Sequence, residues 1–137
     1  MIKQIVFLKK REDLSMQDFM DYYENQHSQL SRKMGAPAPM PNAQRYVRRY
    51  VKPEANPLTG EVIHPGYDCI MEIWWNTRAD FEASMKAIGN PEFLEARKAD
   101  ELKLFASNSN PVITVEEFDS PVGPNQLIPR YIPTFEG

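Results

Sequence analysis

His27 is the side chain of this sequence best suited to moving a proton. An imidazole titrates near neutrality, so in a mostly apolar pocket it can serve as general base or general acid. Met16, Met20, Tyr23 and His27 recur at steps of four and three, and Leu30 follows, which is the spacing of one helix face. That stripe should turn His27 toward a sheet rather than toward water. It equally suits a core histidine with both ring nitrogens satisfied, and helix position alone favours that second role.

Asp68 and Glu72 lie four apart in an apolar stretch that reads as a strand, so they share a face. An acid on such a strand needs a partner. Asp68 can accept a proton from one ring nitrogen of His27 and set its tautomer, as a carboxylate does in a triad. A salt bridge to Arg45, Arg48 or Arg49 on a neighbouring strand fits Asp68 as well and fits Glu72 better. Tyr46 and Tyr50 point the same way on their strand. The Tyr46 hydroxyl can bind a carbonyl oxygen or a developing enolate, while Tyr50 reads as an amphipathic residue with its hydroxyl at the sheet edge. Trp74, Trp75, Tyr22 and Tyr23 suit the wall of an aromatic pocket or simply a core. His64, in a Pro-Gly loop, is expected in solvent or closing over the site, and Cys69 is expected to be an inert buried thiol. The two histidines stand 37 positions apart, neither in a ligand-spaced cluster, and the glycines form no phosphate loop. Neither a metal nor another cofactor is expected.

The elements that must position these groups follow from periodicity and punctuation. Residues 2–9 read as a strand. Ser15 opens a helix with Asp18 three residues on, and Gly35 ahead of Pro37 should close it. Residues 36–42 (APAPMPN) form an extended loop, and 43–52 a second strand ended by Pro53. Residues 67–75 (YDCIMEIWW) are apolar on both faces, the mark of a central strand covered on both sides. Thr77 opens a helix with Phe81, Met85 and Ile88. Pro91 starts its continuation, carrying Phe93, Leu94, Leu102 and Phe105. Residues 111–118 form a last strand. The order βαββαβ predicts an α+β, ferredoxin-like domain, an antiparallel sheet with helices on one face. The bare apolar face calls for a second copy of the chain, giving a homodimer and a dimeric α/β barrel.

The 137 residues suit one domain, and 42% hydrophobic with 26% charged residues is an ordinary globular balance. A net charge of −3 offers no footprint for nucleic acid and no attraction to an anionic membrane. The first apolar stretch is too short for a signal-peptide core, no run is long enough to span a bilayer, and the single cysteine allows no internal disulfide, so a cytoplasmic location is expected. Seven of the twelve prolines cluster in 37–41 and 121–133. The domain is expected over 1–118, followed by an extended arm over 119–137. Leu127, Ile128, Tyr131, Ile132 and Phe135 make that arm too apolar to leave in water, so it is expected to dock, by preference on the partner subunit.

Leu14-Ser15, Phe19, Tyr22-Tyr23 and His27 together resemble the opening of the EthD-like family. Asp68, Glu72 and Ile73-Trp74-Trp75 resemble its central strand, Ala99-Asp100-Glu101 with Phe105 the end of its second helical region, and Val115-Glu116-Glu117 its last strand. The resemblance implies a dimeric α/β barrel and shifts the weight for His27 toward a functional role. Members include cofactor-free lyases and isomerases of aromatic, lactone or polyketide compounds. The implied reaction is a dehydration, decarboxylation or lactone rearrangement in which His27 moves a proton, Tyr46 binds the carbonyl oxygen and Asp68 sets the tautomer. Tyr23, Glu72, Trp74 and His64 would bind substrate. A non-catalytic binder of a hydrophobic metabolite and a cofactor-free monooxygenase are the alternatives.

Overall fold

A computed structural model describes residues 1–35 and 40–123. Three helix starts are capped, at the expected Ser15 and Thr77 and also at Asn90. Ser15 Oγ accepts from the Asp18 N–H at 3.0 Å, Thr77 Oγ1 from that of Asp80 at 3.1 Å, and Asn90 Oδ1 from that of Glu92 at 3.1 Å with Pro91 in the first turn. These open α1 (Met16–Asn25), α3 (Arg78–Ile88) and α4 (Pro91–Leu104), while α2 (Leu30–Lys33) is one short turn. The strands are β1 (Ile2–Leu8), β2 (Ala43–Tyr50), β3 (Cys69–Trp75) and β4 (Val112–Thr114). They form one antiparallel sheet in the order β2-β3-β1-β4, the ferredoxin-like arrangement.

Strand alternation sorts the side chains into two sets. Gln4, Val6 and Leu8 stand opposite Ile73, Met71 and Cys69, and these opposite Tyr46, Arg48 and Tyr50, all on the face the helices cover. Phe19, Tyr23, Leu104 and Phe105 close over that face as the core. Lys3, Ile5, Phe7, Val47, Arg49, Ile70, Glu72 and Trp74 stand on the outer face, which no helix among the described residues covers. The expectation that β3 is covered on both sides therefore holds within this chain for one side only.

Three elements differ from the sequence expectation. The first helix does not run to Gly35; it ends at Asn25, and a 3₁₀ turn over His27–Gln29 separates it from α2. The cause lies in the last carbonyls of α1, which side chains claim instead of backbone N–H groups. Ser28 Oγ and Gln29 Nε2 donate to Glu24 O at 2.9 and 3.2 Å, and Lys33 Nζ to Asn25 O at 3.0 Å. The last strand is three residues long rather than eight, because its ladder to β1 spans only Gln4, Ile5 and Val6. Leu102 is 47% exposed and Leu104 takes the core position instead. The expected apolar arm falls largely at 124–137, outside the described residues, as do 36–39.

Ser84 joins three parts of this frame. Its fully buried hydroxyl accepts from Trp75 Nε1 at 2.7 Å and donates to Pro41 O at 2.7 Å. Ser84→Ala should destabilise the domain by about 1–3 kcal/mol in urea unfolding, since it strands two polar partners without replacing them.

Candidate active site

The break after Asn25 decides where His27 points. Gln26 leaves helical geometry at φ −122°, ψ −65°, and the chain re-enters as the 3₁₀ turn that His27 begins. The imidazole then lies edge-on between Tyr23 and Phe105, with ring centroids 5.4 and 5.6 Å away, and Nδ1 meets Asp100 Oδ2 on α4 at 2.7 Å. Asp100 is 6% exposed and does not rely on His27 alone. Tyr22 donates to its other oxygen at 2.5 Å, and Lys103 Nζ stands 3.9 Å away. Burial, and then the Asp100 carboxylate itself, push the Tyr22 phenol up to about 12, so at neutral pH it stays a donor. With Nδ1 engaged by a carboxylate, Nε2 is the nitrogen left for chemistry, and it makes no hydrogen bond to any described residue.

His27 forms part of the wall of a cavity of about 370 Å³ between the helices and the inner face of the sheet. Val6, Leu8, Met71, Ile73, Met85 and Ile88 make it mostly apolar. Tyr23 and Tyr46 also line it, their hydroxyls 2.8 Å apart. Burial pushes the Tyr46 phenol up to about 12, partly offset by the bond to Tyr23 and by Arg48, whose guanidinium lies 4.6 Å from the Tyr46 ring centre. Burial, and then the neighbouring Tyr46, raise Tyr23 well above its ordinary value too. Both are therefore protonated at neutral pH, and when one hydroxyl donates to the other, the acceptor keeps its own O–H for a ligand. Behind them Glu24 accepts from Arg48 through both oxygens and from Tyr50 OH at 2.6 Å.

The residues expected to act together thus divide between the two faces of the sheet. His27, Tyr23 and Tyr46 line one cavity. Asp68 does not orient His27. Its parity on the third strand is that of the outer face, and it accepts from the Lys10 N–H at 3.0 Å with His64 Nε2 at 3.4 Å. Glu72 pairs with Arg49 at 2.9 Å on the outer face, the salt bridge weighed for it from sequence. Trp74 also faces outward, under Lys3 at 4.0 Å, and His64 is half-exposed in its loop, so neither of these lines the cavity. Cys69 is buried, and burial raises its thiol to about 12, consistent with an inert role. Asp100 was not singled out for chemistry. Asp100 stands four residues before the buried Leu104 and so on the same face of α4, but no spacing in the sequence pairs it with His27.

An α+β sheet of ferredoxin-like order, with a histidine–carboxylate pair on a helix–sheet cavity, defines the class of protein. The chain belongs to the EthD family: the EthD domain model matches residues 11–109. No curated protein matches the sequence. Among solved structures it is similar to an ethyl tert-butyl ether D (EthD) family protein from Bacillus halodurans, at 18% identity and a TM-score of 0.52, covering 86% of this chain and 100% of that one. A protein from Arabidopsis thaliana matches at 12% identity and a TM-score of 0.54, covering 89% and 100%. A hydroxynitrile lyase from Passiflora edulis matches at 16% identity and a TM-score of 0.50, covering 86% and 95%. At these identities the likeness is one of fold. Among the described residues no helix is long and apolar enough to cross a membrane.

The Glu24 cluster generates a pH prediction. The Arg48 hydrogen bond outweighs burial and holds the Glu24 carboxyl below its ordinary value of 4.5. A depressed carboxylate stabilises the fold fully above that ordinary value and loses its contribution as pH falls through the lowered one. Glu24→Gln should therefore lower the melting temperature at pH 7 and flatten its decline below about pH 4.5, read by thermal unfolding across the acid range.

Proposed function

We propose that this protein is a cofactor-independent lyase or isomerase that moves a proton on a small, largely apolar carbonyl compound, aromatic or polyketide-like. The observation that carries this reading is the 2.7 Å contact between His27 Nδ1 and Asp100 beside a mostly apolar cavity. With the ring proton on Nδ1, the Nε2 lone pair takes a proton from carbon next to the carbonyl, and the pair left behind moves onto oxygen as an enolate. Tyr46, protonated and tied to Tyr23, donates to that oxygen. Asp100 stabilises the imidazolium that forms. The same proton then returns, to carbon in an isomerisation or to a leaving group in an elimination. The steps need a base, its orienting carboxylate and a donor for the oxygen. The lyase named among the similar structures makes cyanohydrin cleavage a further reaction to assay.

The test is solvent-deuterium incorporation beside the carbonyl of aryl ketones and aromatic lactones, together with cyanide release from aromatic cyanohydrins, run without oxygen and with chelator present. Wild-type turnover should survive those conditions. His27→Ala should lower it about 10²–10⁴-fold, the usual worth of a positioned acid or base, and Asp100→Asn should lower it in the same direction. Undiminished turnover in folded His27→Ala, or none on the whole panel by the wild type, contradicts the reading.

The unit that acts is read as a homodimer in which two sheets pack outer face to outer face, making a dimeric α/β barrel. Ile5, Phe7, Val47, Ile70 and Trp74 supply apolar surface there. Sedimentation should give a dimer at micromolar concentration; a monomer would remove the barrel.

A further inference from the structure

The charges on the cavity wall do not cancel. Besides His27 it carries Arg32, Arg97 and Glu101. Glu101 is engaged, its Oε2 accepting from Asn108 Nδ2 at 2.9 Å. Arg97 donates to two neutral acceptors, Ile88 O and Ser31 Oγ, the latter at 3.2 Å. Neither Arg97 nor Arg32 forms an ion pair among the described residues. Arg97 is half-buried, and burial pulls its guanidinium down from the ordinary arginine value, with Glu101 opposing. A guanidinium has five N–H donors. Two bonds to neutral groups leave donors over, and a cation drawn part-way out of water with only the through-space attraction of Glu101 gains from an anion bonded to it directly.

We infer that the cavity takes a small monocarboxylic acid whose carboxylate is bound by Arg97 while its apolar body lies against Val6, Met71 and Ile73 toward His27. The orientation rests on the acid/base reading of His27; the anion preference does not. Arg97 and Asp100 are three apart on α4 and so share a face, separated by roughly 4.5 Å of helix rise. One helix thus carries both the carboxylate that orients His27 and the cation that would anchor the ligand, which brings a reacting carbon near the histidine when the acid group is held. A guanidinium fork matches a carboxylate in two parallel hydrogen bonds. A carboxylate suits this wall better than a phosphate, because the surrounding surface is mostly aliphatic and one half-buried arginine balances one negative charge.

Arg97 also braces the C-terminal carbonyl of α3 through Ile88 O, and the experiment separates that structural role from ligand binding. Calorimetric titration of the full chain with 2-naphthoate and with 2-naphthamide compares two bodies of the same shape that differ in charge. The acid should bind at least about tenfold more tightly, the worth of a charge-assisted hydrogen bond. Arg97→Gln should bring the acid to the amide's affinity and leave the amide unchanged, Arg97→Lys should keep part of the preference, and His27→Gln should keep it. Equal affinities in the wild type, or no binding of either probe, overturn the inference without recourse to any variant. So does a preference that survives Arg97→Gln and disappears in His27→Gln, since the imidazole would then hold the anion. Failure of the acid/base reading is read separately, as undiminished turnover in His27→Ala.

Discussion

The hydrogen bond between His27 and Asp100 is the contact on which the site depends, and it exists because a helix stops early. A buried carboxylate needs partners, and Asp100 finds them in the His27 ring, the Tyr22 phenol and, farther off, the Lys103 ammonium. The ring arrives by leaving the α1 track. Side chains from Ser28, Gln29 and Lys33 occupy the last carbonyls of α1, which relieves the backbone of continuing the α-helical ladder. Tyr23 and Phe105 then hold the imidazole edge-on, so its orientation is set by packing as well as by the carboxylate. An orienting group of this kind fixes which nitrogen carries the proton, and so which nitrogen is basic.

The sheet contributes by separating two environments a few ångströms apart. One face, with Val6, Met71, Ile73 and Tyr46, forms the floor of an apolar cavity. The other carries the Arg49–Glu72 ion pair and Trp74 under Lys3. Burial opposes the charge on Glu72, yet the Trp74 indole and then the Arg49 guanidinium hold the carboxyl below its ordinary value. Alternation along β3 keeps the acids of the second face away from the cavity on the first.

The order of elements was legible because its signals are local: capping residues at Ser15 and Thr77, a proline at the first turn of α4, and alternation on the strands. His27, Tyr23 and Tyr46 were picked out for the same reason, since each lies on an inward stripe. The identity of the orienting carboxylate was not legible by that route. Asp68 and Glu72 looked suitable because they interrupt an apolar strand, but parity alone does not say which face of a sheet the helices cover. Asp100 reaches His27 across 73 positions, a pairing set by how α4 packs on α1. The early end of α1 was missed because a helical stripe continues through it. The side chains that interrupt the ladder act through their hydroxyl, amide and ammonium groups rather than through hydrophobic spacing.

In the proposed mechanism the His27 Nδ1–H donates to Asp100, which leaves Nε2 as the nitrogen that accepts a proton. Long-range ¹H–¹⁵N correlation spectra of the ring, recorded in alkaline solution where an imidazole carries one proton, read that tautomer directly. A protonated Nδ1 and an unprotonated Nε2 are expected in the wild type, with the pattern disturbed in Asp100→Asn. A protonated Nε2 in the wild type, or a spectrum unaffected by that substitution, would contradict the mechanism.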